Sequence, residues 1–402
     1  MIPATLRSLL AFSDFRFYLA ARFLVMLGMQ VVNVGVGWQV YRLSGDPMDL
    51  GYVGLAQFLP ALLLTLPGGL LADRCDRKRI LFLGMLVNLS AVLGLMFLSL
   101  RPVPPLSLIL ALLVVIGAGR AFLAPASQSV LPLLVPPEMF PRAVAVASTS
   151  WQVAVILGPA LGGLLYVFGP VTVYAAAALL LACGALSVLM LNVRLHARSG
   201  DAEGILAGVR FVLKNRDILG AVSLDLFAVL LGGATALLPI YASDILMTGP
   251  MGLGFLRASP AIGAAFMAAV LARHPIRGNA GRKMFLAVAV FGLATVAFGL
   301  STNFLLSMAA LMVLGAADIV SVIIRQTLVQ LKTPDVLRGR VSAVNLIFIT
   351  SSNELGEFES GFTAALFGAV PAVVLGGIGS LGVAAVWAWK FPSLRRVDKL
   401  ES

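Results

Sequence analysis

The 402-residue chain is 60% hydrophobic and 12% charged, with 40 Gly and 21 Pro, and its mean hydropathy is +1.00. Soluble domains carry about 25% charged residues, so this chain has too few to wet a soluble surface, and its apolar content excludes a disordered one. Glycine and proline scattered through apolar runs suit helices in lipid, and the net charge of +11 then reads as loop charge that sets orientation, not as a nucleic-acid footprint.

A helix needs about 20 apolar residues to cross the hydrocarbon core. Taken along the chain, the sequence predicts twelve such runs: 16–41, 48–72, 80–99, 106–130, 144–168, 170–192, 218–243, 252–272, 284–301, 304–330, 341–367 and 369–390. The start, Met1 to Asp14, shows no cleavage pattern, so the first run is expected to be a retained span. The connections are short except 193–217. That segment is polar (Arg194, Arg198, Asp201, Glu203) and then amphipathic, with Ile205, Val209, Val212 and Leu213 at helical spacing. The expected organisation is an all-α membrane protein with a six-span half at 1–192, a cytoplasmic linker at 193–217 and a second six-span half at 218–402.

Basic residues test the orientation. With twelve spans and both termini cytoplasmic, 22 of the 29 Lys and Arg fall on the cytoplasmic side and only Arg42 and Arg101 on the other. An error of one span would scramble that asymmetry. The two cysteines, Cys75 in a basic loop and Cys183 in an apolar run, give no disulfide framework.

The halves repeat. At a shift of 198 residues, 115–146 and 313–344 share nine identities in 32 positions, among them Gly117/Gly315, Ala118/Ala316, Pro136/Pro334 and Arg142/Arg340. A weaker echo links Asp73–Arg79, after span 2, to Gly281-Arg282-Lys283, after span 8. Two six-span halves in parallel repeat are the layout of a two-bundle transporter. Arg120 and Asp318 also lie 198 apart, each after a Gly-Ala-small triplet. They are expected at equal depth in the two halves, facing a cavity, with partners either across it or within their own halves.

Gly69-Leu-Leu-Ala-Asp73-Arg74-Cys-Asp76-Arg77-Lys78 resembles the loop signature between spans 2 and 3 of the major facilitator superfamily, with Asp76 where that signature has its second glycine. Gly158-Pro159-Ala160-Leu161-Gly162-Gly163 resembles the antiporter signature of that superfamily's exporters. Its spacing also lets helices approach closely. Trp38-Gln39-Val40-Tyr41, Pro125-Ala126-Ser127-Gln128, Gly339 to Asn345 and Asn353 to Gly361 resemble the drug:proton antiporter group that includes siderophore exporters and macrolide efflux proteins. The resemblance covers essentially the whole chain. It implies the major facilitator fold, with spans 1, 4, 7 and 10 lining a central cavity. It also implies that the loop residues Gly69, Asp73, Arg74, Arg77 and Lys78 form a gate between the halves.

Charges inside lipid cost several kcal/mol and normally face water or a partner. They occur here as Arg22, Arg120, Asp225, Arg257, Asp318, Arg325, Glu354, Glu357 and Glu359. Spans 3, 6, 9 and 12 have none near their centres. Arg22 and Arg257 lie either in the cavity or near an interface, where long side chains snorkel. Arg325 faces the cavity or the cytoplasmic end of its span. Asp225 is either a functional acid or half of a structural ion pair. Glu354 and Glu357, three residues apart, share a helix face and form either a proton carrier or a static hydrogen-bonded cluster. Asp225, Glu354, Glu357 and Asp318 are the candidate proton-coupling residues. Arg22, Arg120, Asp318, Arg325, Phe122 and Phe227 are the candidate cavity residues.

The expected function is proton-coupled efflux by alternating access, with a bulky amphipathic small molecule, a siderophore or a drug, as cargo. A lipid or lysophospholipid transporter and a transport-dead sensor are the alternatives on the same fold. No catalytic motif, metal-ligand cluster or ATP-binding loop occurs, so an enzyme, a cofactor and a resident metal are not expected. Nor is a nucleic acid or an obligate protein partner. The expected location is the inner cell membrane, with substrate, protons and the bilayer as partners.

Overall fold

The computed structural model describes residues 9–192, 204–276, 278–334 and 337–398. These are helical, with no strand among the described residues. Spans 1 to 6 are Ser13–Ser44, Pro47–Arg74, Arg77–Leu98, Leu106–Val130, Phe140–Tyr166 and Pro170–Leu189. Span 7 starts as Arg216–Leu231 and continues through a short 3-10 turn into a π-helical end at Tyr241–Ile245. Spans 8 to 12 are Gly249–Arg273, Ala280–Leu300, Phe304–Lys332, Arg338–Phe367 and Ala369–Lys390. Eleven of these are long and apolar enough to cross a bilayer. Span 11, at 30 residues, is long enough but carries the three glutamates.

The described chain groups into two compact units, 1–43 with 56–200, and 44–55 with 201–402. In the first unit, span 5 packs on span 1 through its glycines. A Cβ at Gly162 would lie 3.1 Å from the Val31 carbonyl oxygen, and one at Gly158 would overlap the Gln30 side chain. Pro159 and Gly163 are buried beside them. Gln39, from the Trp-Gln-Val-Tyr tract, joins three spans: it accepts from the Tyr174 hydroxyl at 2.6 Å and donates to Ser99 Oγ at 2.9 Å.

The loop before span 3 has a local logic. The Asp76 carboxylate caps the helix by accepting from the Lys78 backbone N–H at 2.9 Å. An acid at a helix N-terminus satisfies an orphan donor and favours the dipole, which is why this position can depart from glycine. Lys78 Nζ donates to the carbonyls of Leu189, at 2.8 Å, and Leu191, capping the end of span 6. Lys78→Met should therefore lower stability by about 1–3 kcal/mol, read as a lower melting temperature in detergent, while Lys78→Arg retains most of it. The side chains of Asp73 and Arg74, like the surroundings of Gly69, lie outside the described residues.

In the second unit, the linker helix Gly204–Lys214 docks on spans 7, 10 and 11. Val212 is buried with Ile218, Val222, Val329, Val341 and Val344, and Val209 and Phe211 pack against them. Leu213, expected on the same face, is 58% exposed. The buried stripe is centred on Gly208 and Val212, because Gly208 lets the helix settle against span 11: a Cβ there would lie 2.8 Å from the Arg340 carbonyl oxygen. Residues 193–203 lie outside the described residues. The end of the chain ties down the start of span 9, where Asp398 accepts from the Asn279 backbone N–H at 2.6 Å.

The repeat has a packing counterpart in each unit. A Cβ on Gly117 of span 4 would overlap the Gln57 carbonyl of span 2, beside Pro60. A Cβ on Gly315 of span 10 would overlap the Pro260 carbonyl of span 8. The glycine that recurs at a shift of 198 is the one that lets backbone meet backbone.

Candidate functional site: buried charge clusters of the second unit

Span 7 brings Asp225 into the second unit because Gly220, Ala221 and Ala228 leave it a slim helix with a buried face. There Asp225 Oδ2 meets Arg325 Nη2 of span 10 at 3.1 Å, with the two side chains 7% and 1% exposed. Arg325 Nη1 donates to Asn345 Oδ1 of span 11 at 3.1 Å. Asn345 closes the Gly339–Asn345 tract noted in the sequence, and this bond is its visible role. Arg325 lies in the interior of the second unit. Burial of a guanidinium requires a counter-charge, and Asp225 supplies it.

Asp318 lies two turns earlier on span 10. The charges that act on it are Asp225 and Arg325. Asp225, Asp318 and Ser321 line a small void with Ala228, Val229 and Phe291. The void has room for about one water molecule.

A second cluster involves span 11. Glu354 and Glu357 lie near enough to Arg257 of span 8 to act on it electrostatically. Glu357 also abuts the start of span 2, where a Cβ at Gly54 would lie 3.0 Å from Glu357 Oε2. Glu359 is separate and accepts from Thr363 Oγ1 at 2.7 Å. Gly356 and Gly233 bring spans 11 and 7 together, since a Cβ at Gly356 would lie 3.0 Å from the Leu230 carbonyl oxygen.

The remaining candidates fall elsewhere. Arg22 stacks over Trp151 at 5.6 Å, a cation–π contact inside the first unit. Arg120 is half-buried on span 4. Phe122 packs against the core of spans 1, 3 and 5. Phe227 packs on Trp387 of span 12, ring centroids 5.2 Å apart, so its ring is engaged by a neighbouring helix. No group of three or more His, Cys, Asp or Glu able to hold a metal occurs among the described residues.

The family model described as transmembrane secretion effector matches residues 6–402. Enterobactin exporter EntS of Shigella dysenteriae serotype 1 (strain Sd197) is 26% identical over 375 residues, which is 91% of this chain and 85% of that protein. Enterobactin exporter EntS of Escherichia coli O139:H28 (strain E24377A / ETEC) has the same identity and coverage. Among solved structures, a bacterial homolog of the human lysosomal transporter Spinster, inward-facing and occupied, is similar with a TM-score of 0.76. It is 14% identical, covering 94% of this chain and 96% of that one. The nucleoside transporter NupG is similar with a TM-score of 0.69 at 14% identity, covering 96% of this chain and all 100% of the other. At such identities the structural likeness shows the fold alone: twelve helices in the major facilitator arrangement.

Proposed function

The chain belongs to the transmembrane secretion effector family of major facilitator transporters, and from that premise we propose that it exports a siderophore of the enterobactin type in exchange for protons. It is a multi-pass membrane transporter and not an enzyme. The observation that carries the substrate class is the likeness to enterobactin exporters across 91% of the chain. Proton exchange is supported by the chemistry of the second unit, where Asp225, Asp318, Glu354 and Glu357 stand among apolar helices with two arginines. Residues 1–192 and 218–402 act as the two halves of alternating access, and 193–217 links them. The loop residues Asp73 and Arg77 form a latch whose ion pairs exist in one state only.

The direct test uses everted membrane vesicles with an imposed pH gradient and enterobactin as probe. Enterobactin should accumulate against its own gradient, and an ionophore that collapses the pH difference should abolish the accumulation. Accumulation of a macrolide but no siderophore would overturn the substrate class. Accumulation indifferent to the ionophore would overturn the coupling.

The orientation we propose is both termini in the cytoplasm of a cell whose inner membrane holds the protein. Cys75 is exposed just before span 3. A membrane-impermeant maleimide should therefore miss Cys75 in intact cells and label it in everted vesicles. Strong labelling in intact cells would reverse the topology.

A further inference from the structure

We propose that Asp318 is the acid that takes up the transported proton in the second unit, that Asp225 is its permanently charged neighbour, and that Asn345 is the positioning residue that keeps the two roles apart. The assignment rests on the proton-coupled reading and divides labour among the candidate acids.

Charge counting opens the argument. Asp225, Asp318 and Arg325 place two carboxyls and one guanidinium in an apolar setting. Fully ionised, the trio carries one uncompensated negative charge, which such a setting strongly disfavours. One bound proton makes it neutral. Geometry decides which carboxyl takes it. Asp225 is ion-paired with Arg325 at 3.1 Å. Asn345 holds the other end of the guanidinium at 3.1 Å. Asp318 makes no hydrogen bond to a described residue, and it borders the void with room for about one water. Arg325 Nε, on a side chain 1% exposed, has no acceptor among the described residues. A buried donor without a partner is a costly arrangement, and it marks the trio as a place built for a visiting acceptor such as water.

The elements packed on Asp318 bring no further charge to it. Span 9 presents Ala287, Val288 and Phe291. Span 8 meets span 10 through Pro260 and Gly263, and its one embedded charge, Arg257, is acted on electrostatically by Glu354 and Glu357 of span 11. From span 7 comes Asp225 and from span 11 the neutral Asn345. Proton loss from Asp318 leaves a carboxylate that competes with Asp225 for Arg325. Asn345 resists that exchange by fixing the guanidinium on the Asp225 side. The proton is taken up and released as such, so no redox partner or leaving group is involved.

The test reads protons, not cargo. Purified full-length protein in lipid nanodiscs is titrated while the carbonyl-stretch band of protonated carboxyls is followed by infrared difference spectroscopy. The wild type should show a titrating component that Asp318→Asn removes. The double variant Asp225→Asn/Arg325→Gln, which deletes the ion pair as a unit, should retain a component from Asp318. Asn345→Ala should shift the midpoint of the Asp318 component down by about one pH unit, because the freed guanidinium leans toward Asp318 and favours its charged form. Asn345→Gln should restore most of it. A component that survives Asp318→Asn unchanged, or an unmoved midpoint in Asn345→Ala, would overturn the respective role. If instead these titrations behave as stated while vesicle transport ignores the pH gradient, the coupling reading fails and the proton site stands.

Discussion

Arg325→Ala should leave little folded protein in the membrane. The substitution strands Asp225 as an unpaired charge, 7% exposed, inside the second unit. Removing one partner of a buried pair costs about 3–5 kcal/mol, a large fraction of the stability of many domains. The reciprocal Asp225→Leu should be milder, because the carboxyl of Asp318, which also acts on Arg325, can ionise and take over the guanidinium. The double variant Asp225→Leu/Arg325→Met replaces the pair by apolar groups of similar size. It should recover much of the lost stability, because neither charge remains to be compensated. Thermal unfolding followed by size-exclusion fluorescence gives all three values. A double variant no more stable than the worse single would mean that the pair does not act as a unit.

Gly315→Leu and Gly117→Leu should be comparably severe for a different reason. In each unit this glycine seats one helix backbone on another: Gly315 on the Pro260 carbonyl, Gly117 on Gln57 beside Pro60. Overpacking costs about 1–3 kcal/mol where side chains can yield, and here the obstacle is main chain. The helices must separate along their length, which unmakes their other contacts. Gly382→Ala serves as control, since a Cβ there meets nothing within 4 Å and helix propensity improves slightly. Yield of monodisperse protein measures the outcome. A Gly315→Leu protein produced at wild-type yield would show that spans 8 and 10 are not locked at this crossing.

Much of the architecture was legible because lipid imposes simple rules. Each predicted run from 16–41 to 369–390 corresponds to an observed helix such as Ser13–Ser44 or Ala369–Lys390, since the bilayer fixes length and forbids unpaired backbone. The amphipathic linker helix was legible from its period. The repeat was legible at Gly117 and Gly315, because a backbone crossing tolerates no other residue there. Span 11 is the informative exception. Its glutamates weaken its apolar signal, and in the folded chain two of them act electrostatically on Arg257.

Hydropathy, periodicity and internal identities by themselves gave the approximate position of each span, the repeat at a shift of 198 residues and the set of charges that lipid would not accept. Only the tertiary structure decided the pairings: Asp225 with Arg325, 100 residues apart, Arg325 with Asn345, and Lys78 with the end of span 6. It also decided that Asp76 is a helix cap and that Phe227 spends its ring on Trp387. The physical reason is rotational. A run of apolar residues reports that a helix is in lipid and how long it is, but not which neighbour each face meets. That is set where small residues such as Gly220, Gly233 and Gly356 allow helices to close on one another. A buried charge then takes the counter-charge that the crossing brings within reach.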